Sequence, residues 1–388
     1  MSGGRDTMDT MVHLDTDAML GDLAPLVDTE SPSGDVARLE IHAKLLASVI
    51  EARLGSRPRL VASPVGPHVH WSGGGDPRVL ILGHYDTVHP AGTTATRPFA
   101  VRDGIATGPG VFDMKAGIVQ AIHAVASLDD TSRVEILLTA DEETGSRASR
   151  ALLEERARAC GAVLVLEPSA EGGALKIGRK GTGTFTVSLH GRASHAGLEP
   201  EKGINALTEL AALIPVIAGF ARPGAGTTVT PTLATAGTAD NVVPALATCA
   251  VDVRVTDAAE KERIEMAFAS LAPTHPEARI EIAGGIGRPP MHESAAERLM
   301  PLARSVAESL GFGVDGVVVG GGSDGNFTSA IGIETLDGLG AVGGGAHAET
   351  EHVVVSTLVP RAALIAGICQ ELSSMARRPP LGSVPAER

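Results

Sequence analysis

Three short runs of apolar and β-branched residues each stop abruptly at polar ones. Val79 to Leu82 runs into Gly83 and His84; Val134 to Ala140 runs into Asp141, Glu142 and Glu143; Ala162 to Leu166 runs into Glu167. Between the first two, Ile118, Ile122 and Val125 recur at helical spacing within Ala116 to Leu128. Short strands alternating with helices are the signature of an α/β domain, a largely parallel sheet covered by helices. Open sheets of this kind collect their sites at the carboxyl ends of strands. The polar residues that end the runs are therefore expected to converge.

From about Gly178 the rhythm changes. Thr184 to His190 alternates as a strand, Ile204 to Phe220 is helical, and two strands follow at Thr227 to Ala236 and Ala245 to Val255. A helix over Ala258 to Leu271 and a strand over Arg279 to Ala283 complete the order βαββαβ, the split arrangement of ferredoxin-like modules. After Pro290 the helix-then-strand rhythm resumes, at Glu297 to Leu310 and Val314 to Val319. Residues 178–288 are thus expected to form a domain inserted into a discontinuous one made of 1–177 and 289–388.

Composition excludes several classes. With 43% apolar and 20% charged residues the chain reads as a soluble globular protein. Its apolar stretch Ala211 to Phe220 is interrupted by Pro215 and too short to span a bilayer, so no membrane partner is expected. The polar, acidic N-terminus has no basic segment followed by an apolar one, so no secretory leader is expected. Cys160, Cys249 and Cys369 are odd in number and widely spaced, which suits small core residues in a reducing, cytoplasmic setting. A net charge of −14 without a basic stripe would repel nucleic acid.

A hydrolytic site for two divalent ions needs imidazoles and carboxylates with positions open for water, and one carboxylate to bridge the pair. The candidates at strand ends are His84, Asp86, Asp113, Glu142, Glu143 and Glu167, joined from far downstream by His347. In His84-Tyr-Asp86 a two-residue step on an extended chain puts both side chains on one side, so Asp86 is placed to orient or polarise His84. Asp113 sits in the tight loop Gly108-Pro-Gly-Val-Phe-Asp-Met-Lys115, just before a helix. Adjacent Glu142 and Glu143 point different ways, so one can bind metal while the other works as a base.

These residues, in order, resemble a known family. His84-Tyr-Asp86, Gly108-x-Gly-x-x-Asp113-x-Lys, Asp141-Glu-Glu143-x-Gly145 and Glu167-Pro are similar to motifs of the di-zinc exopeptidases and deacylases. That family includes glutamate carboxypeptidases, acetylornithine deacetylase, succinyl-diaminopimelate desuccinylase and aminoacylase. The match continues through Gly191-Arg-Ala-Ser-His195-Ala-Gly, Asn241-Val-Val-Pro244, Asp252-Val-Arg254, Gly287-Arg288-Pro, Gly320-Gly-Gly-Ser-Asp324 and His347-x-x-x-Glu351-x-Val. The glutamate carboxypeptidase branch looks closest, although Glu167 stands where that branch commonly carries Asp.

The resemblance implies a di-zinc catalytic domain with an inserted dimerisation domain, and hence a homodimer. Asp113 would bridge two zinc ions, with His84 and Glu167 completing one site and Glu143 and His347 the other. Ligands of this kind also accept cobalt or manganese. Glu142 would be the general base, with Asp86 beside the centre, and His195 would stabilise the oxyanion from the partner subunit. Asn241, Arg254, Arg288 and Gly344 would hold substrate, and the Asp113–Met114 peptide would be cis. The implied reaction is hydrolysis of an amide bond next to a free carboxylate, releasing glutamate or a similar amino acid. Alternatives are a deacylase of acetylornithine or succinyl-diaminopimelate type and, from another class, a non-catalytic ligand-binding member of the fold. Each residue alone also has a plainer role: His84 a hydrogen-bonded strand end, Glu142 and Glu143 a solvated turn, Arg254 an ion-pair residue of the small domain.

Overall fold

The computed structural model describes residues 14–375, which gather into two compact units. The first comprises the described residues of Met1–Gly178, His292–Val318 and Ser323–Arg388; the second comprises Arg179–Met291 and Val319–Gly322. The stretches 1–13 and 376–388, expected to belong to the first domain, lie outside the described residues.

The chain opens with helices α1 (Thr16–Asp28) and α2 (Val36–Leu54). Asp15 and Asp35 start them by accepting from first-turn N–H groups that have no partner inside the helix. Strands β1 (Arg59–Val61), β2 (His68–Ser72) and β3 (Val79–His84) follow, then the short β4 (Ala100–Arg102) and β5 (Ile105–Thr107). Next come α3 (Ala116–Ala126), β6 (Val134–Thr139), α4 (Arg150–Cys160), β7 (Ala162–Val165) and β8 (Leu175–Arg179). The second unit runs β9 (Gly181–His190), α5 (Ala206–Ala218), β10 (Thr228–Ala236), β11 (Leu246–Val255), α6 (Ala258–Ala269) and β12 (Arg279–Arg288). The remainder is α7 (Leu299–Ser309), β13 (Gly316–Val319), α8 (Gly325–Ala330), β14 (Glu334–Leu336), β15 (Gly343–Gly344), β16 (His352–Val354) and α9 (Leu358–Ser374).

The main sheet of the first unit has the order β1-β2-β6-β3-β7-β14. Strands β6, β3, β7 and β14 run parallel, while at one edge β2 is antiparallel to β6 and β1 is antiparallel to β2. Every residue of β3, β6 and β7 is buried. On one face Val79, Ile81, Val134 and Ile136 pack with residues of α1, α2, α3 and α9; on the other Leu80, Leu82 and Leu137 pack with Leu153 of α4 and Phe327 of α8. Covering both faces is why these strands read as near-continuous apolar runs rather than alternating ones. The exception in β6 is Glu135, whose two carboxylate oxygens both accept from Arg156. By length and apolarity the helical segment Val355–Ser374 could cross a membrane, but 61% of it is buried in the protein, as befits a core helix packed on α3.

A second, four-stranded sheet of this unit, β15-β16-β5-β4, sets His352 opposite Thr107 in an antiparallel ladder. The loop leaving β5 and the loop entering β16 therefore start from the same end of one ladder.

The second unit is an antiparallel sheet of order β10-β11-β9-β12 with α5 and α6, the expected βαββαβ arrangement. Buried residues alternate along β11, and the core centres on Phe185 stacked on Phe268 at 3.9 Å. Strands β9 and β12 are longer than the alternation predicts, beginning at Gly181 and ending at Arg288. Glycines hide the extra length. A Cβ on Gly183 would lie 2.3 Å from the Gly285 carbonyl oxygen, so the two backbones approach too closely for side chains.

Candidate metal centre

Five segments of the first unit deliver acids and imidazoles to one place. His84 is the last residue of β3, and Glu167 follows two residues beyond β7. Glu142 and Glu143 begin a short 3-10 turn after β6; Asp113 lies in the loop before α3; His347 lies between β15 and β16. Donor atoms of His84, Asp113 and Glu167 fall within 4.8 Å of one another, as do those of Asp113, Glu143 and His347, so Asp113 belongs to both sets.

The separations discriminate between a hydrogen-bonded cluster and a metal cage. His84 Nε2 stands 3.3 Å from Asp113 Oδ1 and 3.7 Å from Glu167 Oε1. His347 Nε2 stands 3.2 Å from both Asp113 Oδ2 and Glu143 Oε1. Ligand atoms about 2.0–2.2 Å from a tetrahedral ion lie roughly 3.4 Å apart. The observed values match that edge and exceed a good charge-assisted hydrogen bond. Asp113 Oδ1 and Glu143 Oε1 are, in addition, buried without a hydrogen-bond partner. Carboxylate oxygens in that position call for a cation.

Protons occupy the place of that cation in the titration behaviour. Burial opposes charge on His84, yet the Asp113 and Asp86 carboxylates beside it raise its proton affinity well above the ordinary imidazole value. The Asp113 and Glu143 carboxylates beside it raise His347 to about 10. Burial would push Asp113 up, but His347 and His84 hold it below the usual carboxylate range. His84 Nδ1 donates to the main-chain oxygen of Asp86 at 2.9 Å, which turns the Nε2 lone pair toward Asp113 and Glu167.

Asp86 thus orients His84 chiefly through its carbonyl, its carboxylate lying 3.5 Å from Nδ1. That carboxylate instead accepts from the backbone N–H groups of Glu142 and Glu143, at 3.2 and 3.3 Å, and from Ser33 Oγ at 2.7 Å. It fixes the turn on which the two glutamates sit. Ser33 carries no signal in the sequence, because 53 residues separate it from its partner. The Asp113–Met114 peptide is cis. Buried Glu351 binds the Asp113 loop, accepting from the N–H groups of Gly110, Phe112 and Asp113.

The remaining candidates are dispersed. Gly344 ends β15, opposite His352. Within the second unit, exposed His195 pairs with Val242, and Ala196 N–H donates to the Asn241 carbonyl at 2.9 Å, so the His195 and Asn241 segments lie side by side. His195 Nδ1 accepts from the N–H groups of Gly197 and Leu198, both at 3.1 Å, which leaves the ring proton on Nε2. Arg254 is the ion-pair residue of its plainer role: Nε and a terminal nitrogen donate to both oxygens of Asp252, at 2.9 and 2.8 Å. Arg288 is buried at the end of β12 opposite Thr182.

Comparison with known proteins bears on this geometry. Residues 80–371 match the model of peptidase family M20/M25/M40. The chain is 31% identical to carboxypeptidase G2 of Pseudomonas sp. (strain RS-16) over 363 residues, covering 89% of this chain and 86% of the relative. It is 29% identical over 324 residues to the succinyl-diaminopimelate desuccinylase of Xanthomonas oryzae pv. oryzae (strain PXO99A), covering 77% and 85%. Among solved structures, an M20 family metallo-carboxypeptidase from Sulfolobus solfataricus superposes with a TM-score of 0.76 at 16% identity, over 93% of this chain and 100% of that one. At that identity the likeness speaks for the fold.

Proposed function

The chain belongs to peptidase family M20/M25/M40, and from that premise we propose that it uses two zinc ions to hydrolyse an amide bond next to a free carboxylate, as a glutamate carboxypeptidase does. The observation that carries this is the sharing of Asp113 between two ligand sets spaced as tetrahedral edges. His84, Asp113 and Glu167 would hold one ion, and Asp113, Glu143 and His347 the other. Bound there, two divalent cations polarise a scissile carbonyl and lower the pKa of an attacking water.

The chain's own residues supply the rest. Glu142, on the turn fixed by Asp86, is the general base: it takes the water's proton as the C–O bond forms and returns it to the amine as the C–N bond breaks. The Nε2 proton of His195 serves as donor to the oxyanion. Asn241, Arg288 and Gly344 hold the substrate, Arg288 through a fork suited to a carboxylate. Arg254, its fork already matched to Asp252, is the weakest member of that set. The enzyme works as a homodimer joined through the inserted unit. It resides in the cytoplasm, a setting supported by three buried, unbridged cysteines.

The desuccinylase relative supports a second reading, an N-acyl-amino-acid deacylase. A panel sharing one acyl group, with glutamate, aspartate, ornithine, alanine and amidated glutamate as leaving groups, separates the two. Strong preference for free glutamate over its amide is expected. Equal rates, or preference for ornithine, would move the enzyme to the deacylases.

A further inference from the structure

The loops carrying Asp113 and His347 leave the same end of the β5–β16 ladder, yet backbone pairing stops before either ligand is reached. Something else must hold them in register. Glu351, four residues after His347 and 1% exposed, spans the gap. Its Oε1 accepts from Phe112 N at 2.9 Å and Asp113 N at 3.0 Å; its Oε2 accepts from Gly110 N at 2.9 Å and His89 Nε2 at 2.6 Å. A carboxylate borne by the His347 loop therefore grips three backbone donors of the Asp113 loop. The circuit closes through Arg97, which donates to His89 Nδ1 at 3.3 Å and to the carbonyl of Ala348 at 3.4 Å, next to His347 itself. Gly110 is part of the device. Its φ is +72°, and a Cβ there would lie 2.5 Å from Thr87 Cγ2, so the loop closes on the carboxylate only without a side chain.

We infer that Glu351 is a positioning residue that sets the distance between Asp113 and His347, and thereby the affinity of the metal position shared by Asp113, Glu143 and His347. This rests on those three residues being ligands. An amide in its place would offer one acceptor oxygen to four donors, leaving buried N–H groups without partners.

The test is Glu351→Gln in the full chain, stripped of metal and titrated with zinc against a chromophoric chelator. The wild-type chain is expected to take up two ions. The variant is expected to keep one near wild-type affinity and bind the other about 10–100-fold more weakly, the usual effect of losing a partner behind the ligands. Raising free zinc then restores kcat, with KM unchanged. Two ions bound with wild-type affinity, both weakened alike, or activity that zinc does not rescue would overturn the inference and leave Glu351 a support of the fold. If Glu351→Gln fails to fold, His89→Ala removes one donor and keeps the carboxylate. It should weaken the same single ion to a smaller degree, and unchanged binding of both ions would again overturn the proposal. A wild-type chain that takes up fewer than two ions would sink the dinuclear reading itself.

Discussion

Without metal, His347 holds a proton where an ion would sit. The carboxylates of Asp113 and Glu143 beside it raise it from 6.5 to about 10, and Asp113 is lowered from 3.8 by the imidazoles beside it. The signs decide how the metal-free protein responds to pH. A raised imidazole contributes stability that is complete below its unfolded value and lost as pH climbs toward the folded one. A depressed carboxylate contributes stability present above its unfolded value and lost in acid. For this cluster the metal-free chain is therefore best stabilised between the ordinary values of 3.8 and 6.5. Its Tm should fall from pH 6.5 to pH 9, by an amount moderated because His347 is half exposed to solvent. Zinc displaces the proton, so the loaded protein should lack this slope, and His347→Ala should reduce it in the metal-free form, leaving the share that His84 contributes. Thermal melts across that range check the point; parallel pH profiles with and without zinc would refute the assignment.

At the scale of elements, two glycines give predictions of opposite sign. Alanine is favoured over glycine in a helix interior by about 1 kcal/mol. Gly21, exposed on α1, has no atom within 4 Å of a Cβ placed there, so Gly21→Ala should stabilise by about 0.5–1 kcal/mol. Gly117 lies in α3, where a Cβ would sit 2.7 Å from the carbonyl oxygen of Leu166 and 3.2 Å from Gly340 Cα. Backbone cannot swing aside as a side chain can. Gly117→Ala should cost about 1–3 kcal/mol despite its better propensity. It should also weaken metal binding, because Leu166 precedes Glu167. Denaturant midpoints of the two variants check this, and a shared sign would show that packing at α3 does not decide.

The same contrast explains what the sequence disclosed. Apolar runs at 79–82, 134–140 and 162–166 became β3, β6 and β7 because burial on both faces writes itself into consecutive residues. Their polar ends converge because parallel strands all finish on one edge. The extension of β9 to Gly181 stayed hidden, since glycine carries no alternation. Hidden too were Ser33 under Asp86 and the role, though not the presence in a motif, of Glu351 under Asp113; their partners stand 53 and 238 residues away. Local pattern cannot report a hydrogen bond closed by the fold.

For the whole molecule, charge and assembly pull on one question. The chain carries −14, and Asp113, Glu142, Glu143 and Glu167 make the centre more negative still, yet the proposed substrate is itself a carboxylate. Two divalent ions would balance those four acids. On the proposed reading, His195, Asn241 and Arg288 of the inserted unit would supply the further cationic and donor groups. In a twofold dimer each unit of that kind can serve either its own centre or the partner's, and symmetry makes both sites alike. Mixing decides between them. His195→Ala and Glu142→Ala should each be inactive alone. If His195 serves the partner, a mixed dimer pairs one subunit's intact Glu142 with the other's intact His195, restoring about one site in two. If His195 serves its own chain, every site in the mixture lacks one of the two groups, and no activity returns. Unfolding-free subunit exchange, followed by amide hydrolysis against total dimer measured by light scattering, reads the difference. Recovery is the expected outcome. A mixture that exchanges subunits and stays inactive would confine each centre to its own chain.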